Sequence, residues 1–84
     1  MYAVRFSPRA QRDLRSLQPE LIARLLPRIE ALLSDPRPPG SKKLSGEKDI
    51  WRIRIGDYRV IYAVDDGVRI VEVRRVGHRG DIYR

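Results

Sequence analysis

The first half of the chain carries apolar residues at helical spacing, after a short alternating segment at its start. Residues 2–6 alternate between apolar and polar side chains and predict a short strand. Ser7 and Pro8 then predict a helix start, because serine caps free N–H groups and proline fits the first helical position. A second helix is predicted to begin at Pro19, with almost no linker, so the two helices form a helical hairpin.

The second helix has a wide apolar stripe that needs a core to pack against. Its members are Leu21, Ile22, Leu25, Leu26, Ile29, Leu32 and Leu33. Pro27 lies inside the stripe, where it removes one backbone hydrogen bond and crowds the carbonyl of Ala23, so we expect a kink. Residues 35–40 are rich in proline and predict a stiff loop, which the polar residues 41–49 continue.

From Ile50 onward the apolar residues alternate, which indicates three consecutive strands over residues 50–55, 58–64 and 68–76. Gly56-Asp57 suits a two-residue type II′ turn, and Asp66-Gly67 suits a type I′ turn. Residues 77–84 predict a short irregular tail. The order β-α-α-β-β-β predicts one α+β domain over residues 1–84, with the helical hairpin packed on one face of a mainly antiparallel sheet.

The two predicted turns set a register that sorts the strand side chains onto two faces. The apolar face, which must receive the helices, holds Trp51, Ile53, Ile55, Val60, Tyr62, Val64, Val71 and Val73. The opposite face collects Arg52, Arg54, Arg59 and Arg74, with Glu72 as the acidic member. In this register Arg59 lies between Arg54 and Arg74, and Ile61 lies opposite Glu72.

Arginines that face one another across strands destabilise a sheet by roughly 0.2–1 kcal/mol. In the simpler interpretation, the long side chains splay into water at little cost. In the functional interpretation, the cluster is an anion site, because the planar guanidinium fork binds phosphate oxygens in pairs. The composition fits a polyanionic partner, since 18 basic residues against 11 acidic residues give a net charge of +7.

The composition also excludes several kinds of site. The chain has no cysteine, which excludes disulfides, thiolate metal sites and a cysteine nucleophile, and its one histidine, His78, cannot form a histidine metal cluster. We therefore predict no metal and no cofactor. The N-terminus lacks the pattern of a signal peptide, and no segment approaches the roughly 20 apolar residues of a membrane span. A cytoplasmic protein without membrane contact is expected.

The second half of the chain carries two specific motifs. Residues 51–62 read WRIRIGDYRVIY and residues 76–84 read VGHRGDIYR. The Asp65-Asp66-Gly67 turn, and Lys43-Leu44 followed by Gly46, fit the same pattern. Together they resemble the RelE branch of the RelE/ParE toxin superfamily, and the resemblance covers essentially the whole chain. The motifs in the second half of the chain make the resemblance specific, since the helical first half would match many proteins.

The resemblance implies the toxin of a type II toxin-antitoxin pair. Such a RelE toxin is an endoribonuclease that depends on the ribosome and cuts mRNA in the A site by 2′-hydroxyl attack. The implied partners are a cognate acidic antitoxin that inhibits the toxin, the ribosome and mRNA. Operator DNA is an implied partner only through the antitoxin.

The resemblance also implies roles for individual residues. Arg52 and Arg54 fall where well-studied members have lysines that serve as base and phosphate ligand. Arg59 matches the arginine that stabilises the transition state, and Arg79 matches an arginine assigned to charge neutralisation or to the leaving group. Tyr83 matches the tyrosine that stacks on the mRNA and orients it. The predicted substrate-binding residues are Arg52, Arg54, Arg74 and Tyr83.

The chain departs from the family pattern in having arginine instead of lysine at positions 52 and 54. Because arginine stays protonated in proteins, Arg52 is a poor general base. The cleavage needs a proton acceptor, a proton donor and a stabiliser of phosphate charge. The proton transfers are open to His78, to Tyr83, or to the ribosome and substrate. In another branch of the superfamily a histidine in the C-terminal region acts as general acid, and His78 lies in a similar place.

Two other functions remain open at the level of sequence. One is a ParE-like inhibitor of DNA gyrase, which shares the fold and does not cut RNA, although members of that branch generally lack this arginine–tyrosine set. The other is a non-catalytic module on the same fold that binds RNA or protein.

Overall fold

The computed structural model describes residues 1–44 and 49–80. The elements in chain order are strand β1 (Ala3–Phe6), helices α1 (Pro8–Arg15) and α2 (Pro19–Ala31), and strands β2 (Lys42–Lys43), β3 (Ile50–Ile55), β4 (Tyr58–Asp65) and β5 (Ile70–His78). Across the described residues these strands form one sheet in the order β1-β5-β4-β3-β2. Strand β1 is parallel to β5 and the other neighbours are antiparallel. The predicted α+β architecture is confirmed.

Local sequence signals explain where the helices begin. Ser7 is the N-cap of α1, and its Oγ accepts a hydrogen bond of 3.1 Å from the N–H of Ala10. Helix α2 begins at Pro19 as predicted, and it continues without interruption through Pro27 to Ala31. Proline at position 27 therefore does not end the helix, because the packing of the apolar stripe holds the segment on both sides.

The core lies between the two helices and the apolar face of the sheet. The buried side chains are Ala10, Leu25, Ile29, Leu32, Ile53, Ile55, Val60, Tyr62, Val64, Val71, Val73 and Val76. Each large apolar side chain buried here contributes about 1.5–3 kcal/mol to folding. The hydroxyl of Tyr62 is buried as well, and it donates a hydrogen bond of 2.7 Å to the carbonyl of Pro36. The strand residues predicted to face the helices are buried, apart from Trp51, which is half-buried.

The β3–β4 hairpin has the predicted register. Arg54 is paired with Arg59, and Arg52 is paired with Ile61. Gly56 has a φ of +61°, which suits the first central position of a type II′ turn. This local turn chemistry fixes which side chains share a face.

The β4–β5 hairpin differs from the prediction of a two-residue turn. Strand β5 begins at Ile70, opposite Asp65, so the loop spans residues 66–69. The Asp65 carboxylate accepts the N–H groups of Gly67 at 2.9 Å and Val68 at 3.2 Å, and Arg69 adopts a left-handed φ of 58°. The Asp65 side chain therefore organises a longer loop, and the predicted type I′ turn was wrong.

A β-bulge changes the register again in the middle of β5. Tyr62 is paired with Val73, but Ile61 is paired with Arg75, which leaves Arg74 as the extra residue. Ile61 therefore lies opposite Arg75, and the prediction that it faces Glu72 was wrong.

Helix α1 supports the bulged segment at the point where β1 ends. The Asp13 carboxylate accepts the backbone N–H of Val76 and the Nε–H of Arg75, each at 2.9 Å. Ser7 Oγ donates to the carbonyl of Arg74 at 3.1 Å. A helical carboxylate thus replaces the strand partner that β5 lacks beyond the end of β1.

Two boundaries also differ from the predictions. Lys42 and Lys43 form the short strand β2 where a loop was predicted, because they pair with Arg52 and Trp51 on the edge of β3. Strand β5 extends to His78, although the tail was predicted to begin at residue 77, because its last residues pair with the start of β4.

Candidate functional site

The face of the sheet opposite the helices carries a group of cations near the β3–β4 turn. Arg52 and Arg54 lie on β3 and Arg59 lies on β4, with Lys42 of β2 paired to Arg52. Residues that are directly paired across strands point to the same face. The structure therefore brings together three of the arginines that the sequence placed on one face, and we call Arg52, Arg54 and Arg59 the arginine cluster.

Arg59 is the most enclosed member of the arginine cluster, with only 7% of its surface exposed. Arg54 faces it from β3 and Gly77 faces it from β5. Within residues 1–44 and 49–80, no acidic side chain forms a salt bridge with Arg59. Because an enclosed charge is unfavourable without a counter-ion, this position is suited to receive an anion.

Arg52 has a buried hydrogen-bond donor that an anion could bind. Its Nη1 atom is buried and has no hydrogen-bond partner in the part of the chain that the structure describes. A buried donor left in this state costs about 1–3 kcal/mol. A phosphate oxygen that accepts from this nitrogen would remove that cost.

Arg74 stands apart from the arginine cluster, contrary to the prediction. The bulge places Gly77, not Arg74, opposite Arg59. The Nε of Arg74 instead forms a salt bridge of 3.1 Å with Glu72, which also binds Arg5 at 3.3 Å. Arg74 therefore has a carboxylate partner, which no member of the arginine cluster has among the described residues.

His78 is the last residue of β5, and Arg79 follows it. Both lie at the end of the sheet that carries the β3–β4 turn. His78 is paired with Tyr58, and their rings meet edge to face with centroids 5.5 Å apart. Since Tyr58 and Arg59 are successive strand residues, His78 lies on the helix side of the sheet and not with Arg59. The N–H of Arg79 donates to the carbonyl of Asp57 at 2.9 Å, which holds its backbone beside the β3–β4 turn.

The remaining predicted site residue, Tyr83, lies outside the described residues, as do Gly46 and residues 81, 82 and 84 of the motifs. Among the residues that are described, no group of three or more potential ligand side chains is placed to hold a metal ion. No helix in the same part of the chain has the length and apolar character needed to cross a membrane.

A second charged group lies at the opposite end of the sheet, and no pattern in the sequence predicted it. Arg37, from the loop after α2, forms salt bridges with Asp49 and with Asp66, the latter at 2.8 Å. Its guanidinium also lies over the ring of Trp51, 5.6 Å from the centroid. Tyr2 donates a hydrogen bond to Asp66. We call these five residues the Arg37 network.

The charges in the Arg37 network shift one another's protonation. Hydrogen bonds from Arg37 and Tyr2 lower the pKa of Asp66. Partial burial acts to raise the pKa of Asp49, but hydrogen bonds from Trp51 and Arg37 outweigh it and lower the pKa. Both carboxylates therefore stay ionised against Arg37. The members come from four segments distant in sequence, so no local pattern indicates them.

The two charged groups have different chemical capacities. The Arg37 network already contains the anions that its arginine needs, so it serves to join segments of the chain. The arginine cluster offers guanidinium groups to a ligand and can stabilise added negative charge on it. Arginine side chains do not accept protons, so the arginine cluster itself supplies no general base.

Comparison with known proteins gives a consistent picture. The model of the family described as ParE toxin of type II toxin-antitoxin system, parDE, matches residues 4–83. Toxin RelG of Mycobacterium tuberculosis is 37% identical over 84 residues, which cover 99% of this chain and 97% of RelG. The putative toxin RelE1 of Methanocaldococcus jannaschii is 31% identical over 86 residues, which cover 99% of this chain and 96% of that protein.

Solved structures show the same similarity. A chain of the intact E. coli RelBE toxin-antitoxin complex superposes with a TM-score of 0.82 at 30% identity, covering 93% of this chain and 96% of that chain. A chain of the archaeal RelE-RelB complex from Pyrococcus horikoshii superposes with a TM-score of 0.81 at 30% identity, covering 95% and 97% respectively.

Proposed function

The chain belongs to the ParE toxin family of type II toxin-antitoxin systems, within the RelE/ParE toxins, and we propose that it is a ribosome-dependent endoribonuclease that cuts mRNA in the A site. The observation that carries this proposal is the arginine cluster, in which an enclosed Arg59 and a buried donor of Arg52 have no acidic partner among the described residues. The whole chain, residues 1–84, acts as a single toxin domain.

In the proposed reaction, the 2′-hydroxyl oxygen attacks the adjacent phosphorus and the 5′ oxygen of the next nucleotide leaves. The hydroxyl proton passes to an acceptor and the leaving oxygen takes up a proton, so the products are a 2′,3′-cyclic phosphate and a 5′-hydroxyl end. The phosphate carries more negative charge in the transition state than in the substrate. Preorganised donors aimed at this charge are the largest source of rate enhancement in many enzymes.

We assign Arg59 to the stabilisation of that charge, because it is enclosed and held by strands on both sides. Arg52 and Arg54 are assigned to the phosphate oxygens, where the guanidinium fork binds in pairs. Arg79, whose backbone is anchored to Asp57, is assigned to the leaving-group side. Tyr83 is assigned to stacking on a base, by the resemblance to RelE toxins.

The proton transfers belong to groups outside the arginine cluster. Arginine keeps its proton, and positioning with charge stabilisation supplies much of the rate without a base in this chain. The candidates for the proton donor and the proton acceptor are His78, Tyr83, and the ribosome with its substrate. If His78 is the general acid, the rate falls as rising pH removes its proton, and a pH–rate profile that loses this fall in His78→Ala would assign the acid to His78. An unchanged profile would exclude that assignment.

The proposed partners follow from the same charge pattern. Solved relatives are complexes of RelE with RelB. We propose that a cognate acidic antitoxin neutralises the open face of this toxin, which is the face of the sheet opposite the helices. An acidic segment that orders on binding suits an exposed cationic surface. Operator DNA is then reached only through the antitoxin. Action on ribosomes places the toxin in the cytoplasm.

The test is to map new 3′ ends in mRNA treated with the purified protein, with and without programmed ribosomes. We expect ends at the A-site codon only when ribosomes are present, and their loss in Arg59→Ala. The control is Arg9→Ala, which removes an exposed arginine on α1. Cleavage of free mRNA to the same extent would contradict the dependence on ribosomes.

The name of the matching family model, ParE toxin, gives reason to test a second function, inhibition of DNA gyrase. A supercoiling assay with the same protein separates the two. Inhibition of gyrase without new mRNA ends would contradict the proposed endoribonuclease activity and identify the protein as a gyrase inhibitor. RNA binding with neither effect would identify a non-catalytic binding module.

A further inference from the structure

Two arginines of α2 reach from the helix layer to the edge of strand β3. The Nη2 of Arg28 donates to the carbonyl oxygen of Arg54 at 3.4 Å. The Nη2 of Arg24 lies 3.4 Å from the position that a Cβ on Gly56 would occupy. Both arginine side chains are exposed, and both lie beside the β3–β4 turn. We call Arg24 and Arg28 the α2 arginine pair.

The pair can reach β3 because the outer edge of this strand is covered only at its start. Strand β2 pairs with β3 at Trp51 and Arg52 alone. Beyond Arg52, no described strand lies on that edge, so the carbonyl of Arg54 is free to accept from Arg28. This contact occupies the acceptor that an added peptide strand would need, and it presents a guanidinium in its place.

The α2 arginine pair continues the charge of the arginine cluster. Among the described residues, no acidic side chain forms a salt bridge with Arg24, Arg28 or Arg54. Glu20 precedes Arg24 by one helical turn and Asp57 follows Gly56, yet neither is bound to the pair. Residues four apart on a helix rise by about 6 Å. The cations thus form a line from α2, across the edge of β3, to the open face.

We propose that the α2 arginine pair is a second contact for the substrate RNA strand, which leaves the arginine cluster across the edge of β3. This inference rests on the proposed function, because it extends the path of the same RNA. Phosphate suits the pair better than an acidic peptide does, because the Arg54 carbonyl that a peptide strand would use already accepts from Arg28, and arginine forks match phosphate oxygens.

The test compares RNA strands that differ in length and carry 2′-O-methyl groups to prevent cleavage. One strand has about four nucleotides and fills the arginine cluster, and the other has about twelve and reaches beyond it. Binding is measured by fluorescence anisotropy for the wild type, for Arg24→Gln/Arg28→Gln, and for Arg9→Gln/Arg12→Gln. The last variant removes the same charge from α1, which packs on β5 and β1.

We expect the wild type to bind the longer strand more tightly, and the α2 variant to lose most of that advantage. The slope of log affinity against log salt for the longer strand falls by about 1.4 in the α2 variant, since each phosphate contact to a single strand contributes about 0.7. The α1 variant keeps a slope close to that of the wild type. All three proteins bind the shorter strand alike.

Equal weakening of both variants would overturn the inference, since only net charge would then matter. Equal affinity of the wild type for both lengths would overturn it as well. Loss of binding to an acidic antitoxin peptide by the α2 variant, with RNA binding intact, would assign the pair to a protein partner instead. The strands cannot be cut, so these results are independent of whether the protein cleaves mRNA on ribosomes.

Discussion

Arg37 and Arg59 lie at opposite ends of the same sheet, and the chain surrounds them in opposite ways. Arg37 is bound by two carboxylates and lies over an indole ring, with 31% of its side chain exposed. Arg59 is more enclosed, yet it faces Arg54 on one side and Gly77 on the other. Among the residues that the structure describes, counter-charges therefore accompany the arginine that joins segments of the fold, and none accompanies the arginine where we propose that a ligand supplies them.

The difference has an energetic consequence for each end. Charge-assisted hydrogen bonds at the Arg37 network stabilise the folded state. The arginine cluster instead places like charges across a pair of strands and leaves a buried donor on Arg52 without a partner among the described residues, both of which reduce stability. Substitutions at the two ends should therefore separate stability from activity.

The largest effect is expected from Arg59→Ala. Because one preorganised donor to a developing oxyanion contributes about 10²–10³ in rate, single-turnover cleavage on programmed ribosomes should fall by that factor. The melting temperature should not fall, since an enclosed cation without a described carboxylate partner is removed. A variant that unfolds at clearly lower temperature would show that Arg59 serves the fold.

The converse is expected for Arg37→Ala. The free energy of unfolding should fall by about 1–3 kcal/mol, because two charge-assisted hydrogen bonds and a cation–π contact are lost at a partly exposed position. Urea unfolding measures the change. Cleavage per folded molecule should stay at the level of the wild type, and a loss of activity as large as that in Arg59→Ala would break the comparison.

Acid should weaken the Arg37 end in particular. The pKa values of Asp49 and Asp66 are lowered in the folded state, so their contribution is complete above the ordinary aspartate pKa of about 3.9 and is lost as the pH falls through the folded-state values. We expect the free energy of unfolding to fall below about pH 4. In Asp49→Asn/Asp66→Asn this fall should be shallower, and an identical slope would contradict the assignment.

The smallest effect is expected from Arg74→Ala. Arg74 lies on the open face, but its salt bridge with Glu72 is solvent-exposed, and exposed pairs contribute about 0–1 kcal/mol. Stability and single-turnover cleavage should both stay close to the wild type. A loss of cleavage comparable with that of Arg59→Ala would return Arg74 to the substrate-binding residues.

The parts of this structure that the sequence predicted depend on local chemistry. Ser7 and Pro8 mark the start of α1, and Gly56 sets the turn that aligns Arg54 with Arg59. These signals act within a few residues, so they can be read without knowing the fold. The strand alternation and the Gly56 turn are therefore sufficient to group the three members of the arginine cluster on one face.

The parts that the sequence did not predict depend on side chains from distant segments. Asp65 reorganises the β4–β5 loop, and Asp13, 62 residues from Arg75, supports the bulge that removes Arg74 from the arginine cluster. The Arg37 network joins segments in the same long-range way. A hairpin register based only on turn length cannot include such contacts.

We call an arginine balanced if it has a carboxylate partner among the described residues, and unbalanced if it has none. The most direct test of this contrast is an NMR titration of the protein with the short 2′-O-methyl RNA, observed at the arginine Nε–Hε groups. We expect saturable shifts at Arg52, Arg54 and Arg59, with Arg37 and Arg74 unmoved. Shifts of equal size at Arg37 or Arg74, or no saturable shift at Arg59, would contradict the proposal that the unbalanced arginines bind the RNA.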